Sequence, residues 1–299
     1  MKINLSVSIK SLPYMAVITG ASLGALTGVF VKTINLPITS IAFFRMFIPS
    51  LVLFLFFVLK RSNPFRGNYK TMLAASLLNA VRMFFFYLAF TLTSIGNAVI
   101  MLYTWPILVT VLAFFVLGEK QNKTEIFLII GSFAGIVLTY IDKEISFKSR
   151  DFLGMASMVL CSMIYAVTMV IFKKETDNYS KLETVFFQNL IGGLVFLPFI
   201  IFNRPAPVSY QLGLGILLGL LVGIGAFLLF FYALNKLKIS HYSVLAYFEV
   251  IAAFVLSTVL FHEKISWNMY AGAAIIISTG YMLQIFHYKE KNHPRLNKI

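Results

Sequence analysis

Three charged side chains fall inside long apolar stretches of the chain: Arg45, Arg82 and Glu249. Charge is costly in hydrocarbon, so a residue of this kind faces a cavity, a partner or a water-filled path, and each one marks a candidate site. Arg82 lies far from either end of its stretch, a long way for its head group to reach back to a membrane surface. Its guanidinium suits paired contact with a carboxylate or phosphate. Glu249, near the middle of another stretch, suits a substrate amine or cation, or a coupling proton. Two readings are open for this pair. The two charges bind each other and hold separate parts of the chain together, or they receive the opposite ends of a zwitterionic solute. Arg45 sits about one turn into its stretch, where it either ties helix ends together or takes part in coupling.

Polar and aromatic residues accompany these charges at mid-depth: Asn79, Tyr87, Tyr103, Trp105, Tyr165, Gln188, Asn189, Tyr232 and Tyr247. Any one aromatic alone reads as packing or interfacial anchoring. As a cluster they suit an organic solute with an apolar or aromatic part better than a bare ion. The candidate solute contacts are therefore Arg82, Glu249, Tyr103, Trp105, Tyr247, Asn79, Gln188 and Tyr165. Tyr103 and Trp105 are two residues apart and point to different faces of a helix. Pro49, Pro106 and Pro198 are the places where a helix could break and expose its ends to a solute.

The elements that position these groups follow from composition. Of 299 residues 59% are hydrophobic and 12% are charged, about half the charged fraction of an ordinary soluble chain. Ten apolar stretches recur, roughly 13–32, 40–59, 70–91, 95–117, 124–141, 151–172, 181–202, 210–233, 241–261 and 268–286, each close to the length needed to cross a bilayer. Lipid forbids unpaired backbone, so each is predicted to be a helix. The first stretch lacks a cleavage site and reads as a retained span. The net charge of +14 does not indicate nucleic acid, because the basic residues lie between the spans. With the N-terminus inside, 17 Lys and Arg fall on the cytoplasmic side, six outside and two within spans, which orients both termini to the cytoplasm. Cys161 is the only cysteine, and the four histidines show no ligand spacing; His262 reads as an interfacial residue at a helix end. No metal or cofactor is expected.

The chain also repeats itself. Phe86, Ala89, Ile95, Tyr103, Ile107, Val111, Leu112, Glu119 and Lys120 recur 144 residues later as Phe230, Ala233, Ile239, Tyr247, Ile251, Val255, Leu256, Glu263 and Lys264. A duplicated unit with an odd number of spans yields two halves of opposite orientation, a recurring carrier design. The expectation is an all-α membrane protein of ten helices in two inverted five-helix repeats, residues 13–141 and 151–286. Glu119 and Glu263 then fall at opposite membrane surfaces, as structural anchors or coupling groups. Glycines at four-residue spacing (Gly20, Gly24 and Gly28; Gly131 and Gly135; Gly215, Gly219 and Gly223) form smooth faces for close helix packing or for rocking.

The pattern resembles the ten-helix branch of the drug/metabolite transporter superfamily, with two EamA-type repeats. The resemblance rests on Val31-Lys32…Ala42-Phe43-Phe44-Arg45, Phe86-Tyr87-Leu88-Ala89 and Trp105-Pro106…Leu117-Gly118-Glu119-Lys120. In the second half it rests on Ala166…Phe172-Lys173-Lys174…Gln188, Phe230-Phe231-Tyr232-Ala233 and Phe248-Glu249-Val250…Phe261-His262-Glu263-Lys264. The family pattern at the fourth and ninth helices is like Leu-Glu-Pro, and each half departs from it: Trp105 replaces the glutamate and Val250 the proline. The resemblance implies alternating access through a central cavity, driven by a gradient or by exchange. It also implies a packing or dimer face on the fifth and tenth helices. The expected function is secondary transport of a small zwitterionic metabolite, such as an amino acid or S-adenosylmethionine, across a bacterial inner membrane. The partners are a small-molecule solute, membrane lipid, and a proton or counter-substrate, with no nucleic acid; the chain acts as a monomer or homodimer. The alternative is an exporter of drugs or excess metabolites. No His-Glu-x-x-His zinc motif and no ATP-binding loop occur in the sequence, and neither an enzyme nor an ATP-driven pump is expected.

Overall fold

The computed structural model describes residues 5–141, 149–202, 206–262, 264 and 266–292. Among these, every regular element is helical. The helices are α1 (Leu5–Ile34), α2 (Ile38–Leu59), α3 (Tyr69–Leu92), α4 (Ile95–Leu102), α5 (Trp105–Leu117), α6 (Lys123–Tyr140) and α7 (Ser149–Lys174). They continue with α8 (Lys181–Ile201), α9 (Ser209–Leu218), a π-helix (Gly219–Ala226), α10 (Phe227–Lys236), α11 (Ile239–Ala246), α12 (Phe248–Phe261) and α13 (Trp267–Asn292). They make ten spans long and apolar enough to cross a membrane. Three of these spans are composite: α4 with α5, α9 with the π-helix and α10, and α11 with α12.

The spacing of 144 residues holds for the elements as well. α4 and α11 begin and end 144 residues apart, and so do the last residues of α5 and α12 and the first residues of α6 and α13. The same interval separates two left-handed C-caps, Gly118 (φ 67°) after α5 and His262 (φ 55°) after α12. Gly118 takes this conformation freely, whereas His262 adopts it as one of the few non-glycine residues with positive φ. Glu119 follows the first cap and Glu263 lies outside the described residues. The Glu119 carboxylate accepts a 2.8 Å hydrogen bond from the backbone N–H of Ile239, the first residue of α11. One half of the chain thus caps a helix of the other.

The two halves interleave. α2 packs on α8, α3 on α7 and α8, α5 on α7 and α11, α1 on α10 and α12, and α6 on α13. The α6–α13 contact is close because Gly135 faces Gly272: a Cβ on Gly135 would lie 2.9 Å from the Gly272 carbonyl oxygen. A 2.7 Å hydrogen bond between Ser132 and Thr279 fastens the same face. The largest apolar cluster gathers where α1, α3, α6, α8 and α11 begin, with Tyr14, Met72, Leu128, Phe186 and Tyr242 among its members. That end is also tied by polar contacts. His241 lies 3.3 Å from the Tyr14 hydroxyl and 3.0 Å from Glu125. Ser240 donates to Glu125, Arg66 pairs with Glu183 at 3.2 Å, and Lys173 donates to the carbonyls of Leu234 and Leu237. Capping boxes, Asn122 with Glu125 and Ser180 with Glu183, start α6 and α8.

Candidate functional site

The fourth and ninth spans both break at mid-depth, at Tyr103-Thr104 and at Tyr247, two tyrosines 144 residues apart. Of the three prolines singled out in the sequence, only Pro106 lies beside a break; Pro49 and Pro198 sit within continuous helices. The second break has no proline. A tertiary contact joins the two breaks: the Tyr247 hydroxyl donates to the Tyr103 carbonyl at 3.1 Å, and the two rings lie 5.9 Å apart. The hydrogen bond satisfies a backbone acceptor that the broken helix leaves without its usual partner. Tyr247 is fully buried, with its hydroxyl engaged at the Tyr103 carbonyl.

Each break starts a new helix inside the membrane, and the positive ends of α5 and α12 lie where a charged group could be held. Glu249 occupies the first turn of α12. Its carboxylate is half-buried and lies against α1, where a Cβ on Gly24 would come within 3.1 Å of Oε1. A larger residue at position 24 would displace the carboxylate, so this glycine matters for space rather than for backbone freedom.

Arg82 is nearly buried and braced from several sides. Its Nε donates to Asn79 Oδ1 at 2.9 Å, and Asn79 Nδ2 in turn donates to the Gln188 carbonyl at 2.7 Å, which fixes the arginine to α8. Its guanidinium lies 4.5 Å above the centre of the Tyr165 ring, and a terminal nitrogen lies 3.3 Å from Met83 Sδ. Trp105 meets Tyr165 edge-on at 5.0 Å and Tyr242 at 6.2 Å, which places the indole beneath the same group. Gln188 contributes a buried side-chain carbonyl without a hydrogen-bond partner among the described residues.

The structure therefore brings Arg82, Glu249, Tyr165, Trp105, Asn79 and Gln188 around one central region, with Tyr103 and Tyr247 at the two helix breaks. Arg82 and Glu249 are not in an ion pair among the described residues. Arg45 joins them. Its half-buried guanidinium turns inward over Phe227 at 5.5 Å, and Nη1 lies 3.8 Å from Met83 Sδ. Met83, Phe227, Tyr242 and Gly24 complete the region. Nothing in their residue types distinguishes them in the sequence from other apolar or small residues of the spans. Tyr232 lies apart, with Lys181 4.8 Å above its ring, and Asn189 donates to Val185 within α8.

The model of the EamA-like transporter family matches this chain twice, over residues 11–141 and 152–283. The chain belongs to the EamA-like transporter family. Relatives of this EamA-like transporter include an uncharacterized transporter from Archaeoglobus fulgidus, 24% identical over 88% of this chain and 93% of its own. Another is the uncharacterized transporter YxxF of Bacillus subtilis, 29% identical over 78% of this chain and 76% of its own. The S-adenosylmethionine uptake transporter of Rickettsia prowazekii is 25% identical over 79% of each chain. A solved crystal structure of a protein aligns with a TM-score of 0.79 over 92% of this chain and 98% of its own, at 16% identity. That likeness concerns the fold. The EamA-like transporter is thus a multi-pass membrane protein of a family that moves solutes.

Proposed function

We propose that the chain is a secondary transporter that moves a small zwitterionic metabolite, such as an amino acid or S-adenosylmethionine, across a bacterial inner membrane by alternating access. Both termini lie in the cytoplasm, and the two halves are inverted repeats. The observation that carries the reading is the pair of helix breaks at equivalent depth, with Glu249 on the first turn of one broken helix and Arg82 facing the same region without a paired carboxylate. Buried charges left unpaired in a membrane span are expensive, and a solute with both signs compensates both. Arg82 takes the solute carboxylate, Glu249 the cationic group, and Trp105 and Tyr165 the apolar part. Asn79 positions Arg82. The name of the rickettsial relatives supports uptake over export.

Reconstitution into liposomes provides the test. The purified protein should exchange a labelled zwitterion against the same compound inside. Arg82→Ala should cut that exchange at least about tenfold, the range expected for loss of hydrogen bonds to a charged group, with the protein still monodisperse and folded. Normal exchange by Arg82→Ala would remove the central site from its role.

A further inference from the structure

The central region contains two cations and one anion. Arg45 Nη1 and Arg82 Nη2 lie 3.8 and 3.3 Å from a single atom, Met83 Sδ, so the two guanidinium groups are close neighbours. Like charges meet there over a thioether rather than a carboxylate, and among the described residues neither arginine is in an ion pair. A guanidinium has five N–H donors and does not give up its proton in a protein. Arg82 commits Nε to Asn79, one terminal nitrogen to the Met83 sulfur, and a further contact to the Cys161 thiol; Arg45 Nη1 meets the same sulfur. The Arg82 guanidinium lies over the Tyr165 ring and that of Arg45 over the Phe227 ring. Glu249, on the first turn of α12, supplies at most one negative charge. The region is one negative charge short.

An occupant that matches the region supplies the missing charge. We propose that the transported solute carries one amine and two acidic groups, so that it is a zwitterion with a net charge of −1. Its ammonium faces Glu249, and its acidic groups face Arg82 and Arg45. Arg45 is then the residue that sets specificity, since Arg82 alone suffices for a neutral zwitterion and Arg45 is the charge such a solute leaves unmatched. A net-cationic solute with a sulfonium or a second amine adds to the surplus and is disfavoured. The inference rests on the transport reading above and narrows it to the acidic members of the class.

The experiment is counterflow in liposomes containing the full chain, with acid and amide pairs as probes: glutamate against glutamine and aspartate against asparagine. Ornithine serves as the cationic probe and succinate as the diacid without an amine. At least one acidic amino acid should be preferred over its amide roughly tenfold or more. Arg45→Gln should bring that ratio close to one by raising KM for the acid, and Arg45→Lys, which keeps the charge, should retain part of the preference. The proposal is overturned if the wild-type protein exchanges an amide or ornithine as well as it does an acid. Exchange of succinate equal to that of the acidic amino acids overturns it too, as does an unchanged ratio in a folded Arg45→Gln protein. If Arg45→Gln does not fold, the wild-type ranking and Arg45→Lys decide. Exchange of neutral amino acids alone removes the charge assignment and keeps the transport reading; exchange of none of the probes, with no shift of thermal stability by any, counts against both.

Discussion

The two helix breaks share a geometry and divide the chemistry. At the first, Trp105 and Pro106 open α5, and the indole is buried between Tyr165 and Tyr242. At the second, Glu249 and Val250 stand at the equivalent positions, and a half-buried carboxylate takes the place of the indole. The first break has its proline, and its Tyr103 carbonyl accepts from the Tyr247 hydroxyl; the second has no proline, and its Tyr247 carbonyl accepts from the Val250 N–H. Duplication thus preserves the backbone event and leaves the side chains free to differ.

That contrast can be attacked from its chemistry or from its backbone. The largest effect is expected for Glu249→Gln, which makes the second break as neutral as the first. Exchange of an amine-bearing solute in liposomes should fall by about tenfold to a hundredfold, the cost of a lost charge-assisted contact, with little change in thermal stability. Retained exchange would mean that the carboxylate does not set the difference between the breaks. Next comes Tyr247→Phe, which leaves the buried Tyr103 carbonyl without its donor. The expected loss is about 1–3 kcal/mol of stability, visible as a lower melting temperature in detergent. An unchanged melting temperature would show that the Tyr103 carbonyl at the first break does not need that bond. The smallest effect is expected for Val250→Pro, which gives the second break the residue of the first. It removes the 3.1 Å bond from the Val250 N–H to the Tyr247 carbonyl and should cost about 1 kcal/mol, with exchange preserved. Loss of exchange would show that the two breaks are not interchangeable in backbone geometry.

The ten spans and the 144-residue interval are legible in the sequence because lipid imposes a length on every apolar stretch and a helix on every length. Arg82 and Glu249 are legible for the same reason, as charges with no surface in reach. The breaks are not, because the hydrogen bond between them joins residues 144 apart and leaves no local signature. Arg45 is ambiguous in sequence, since its place near a helix end permits a surface role; only the packing of α2 against α8 and the π-helix turns it toward Met83 and Phe227. Glu119 looks like chemistry and serves as a cap on α11.

The π-helix in the eighth span has a bearing on insertions and deletions. At 28 residues this span is the longest of the ten, and a π turn takes up more chain than an α turn over a similar rise. Gly219–Ala226 is therefore a reserve of slack between α9 and α10. Losing one residue inside it draws on that slack and lets the span straighten toward an ordinary α-helix, with Phe227 still directed at Arg45. Losing one residue from α9 or α10 has no such buffer and swings every side chain on one side of the cut by about 100° relative to the other.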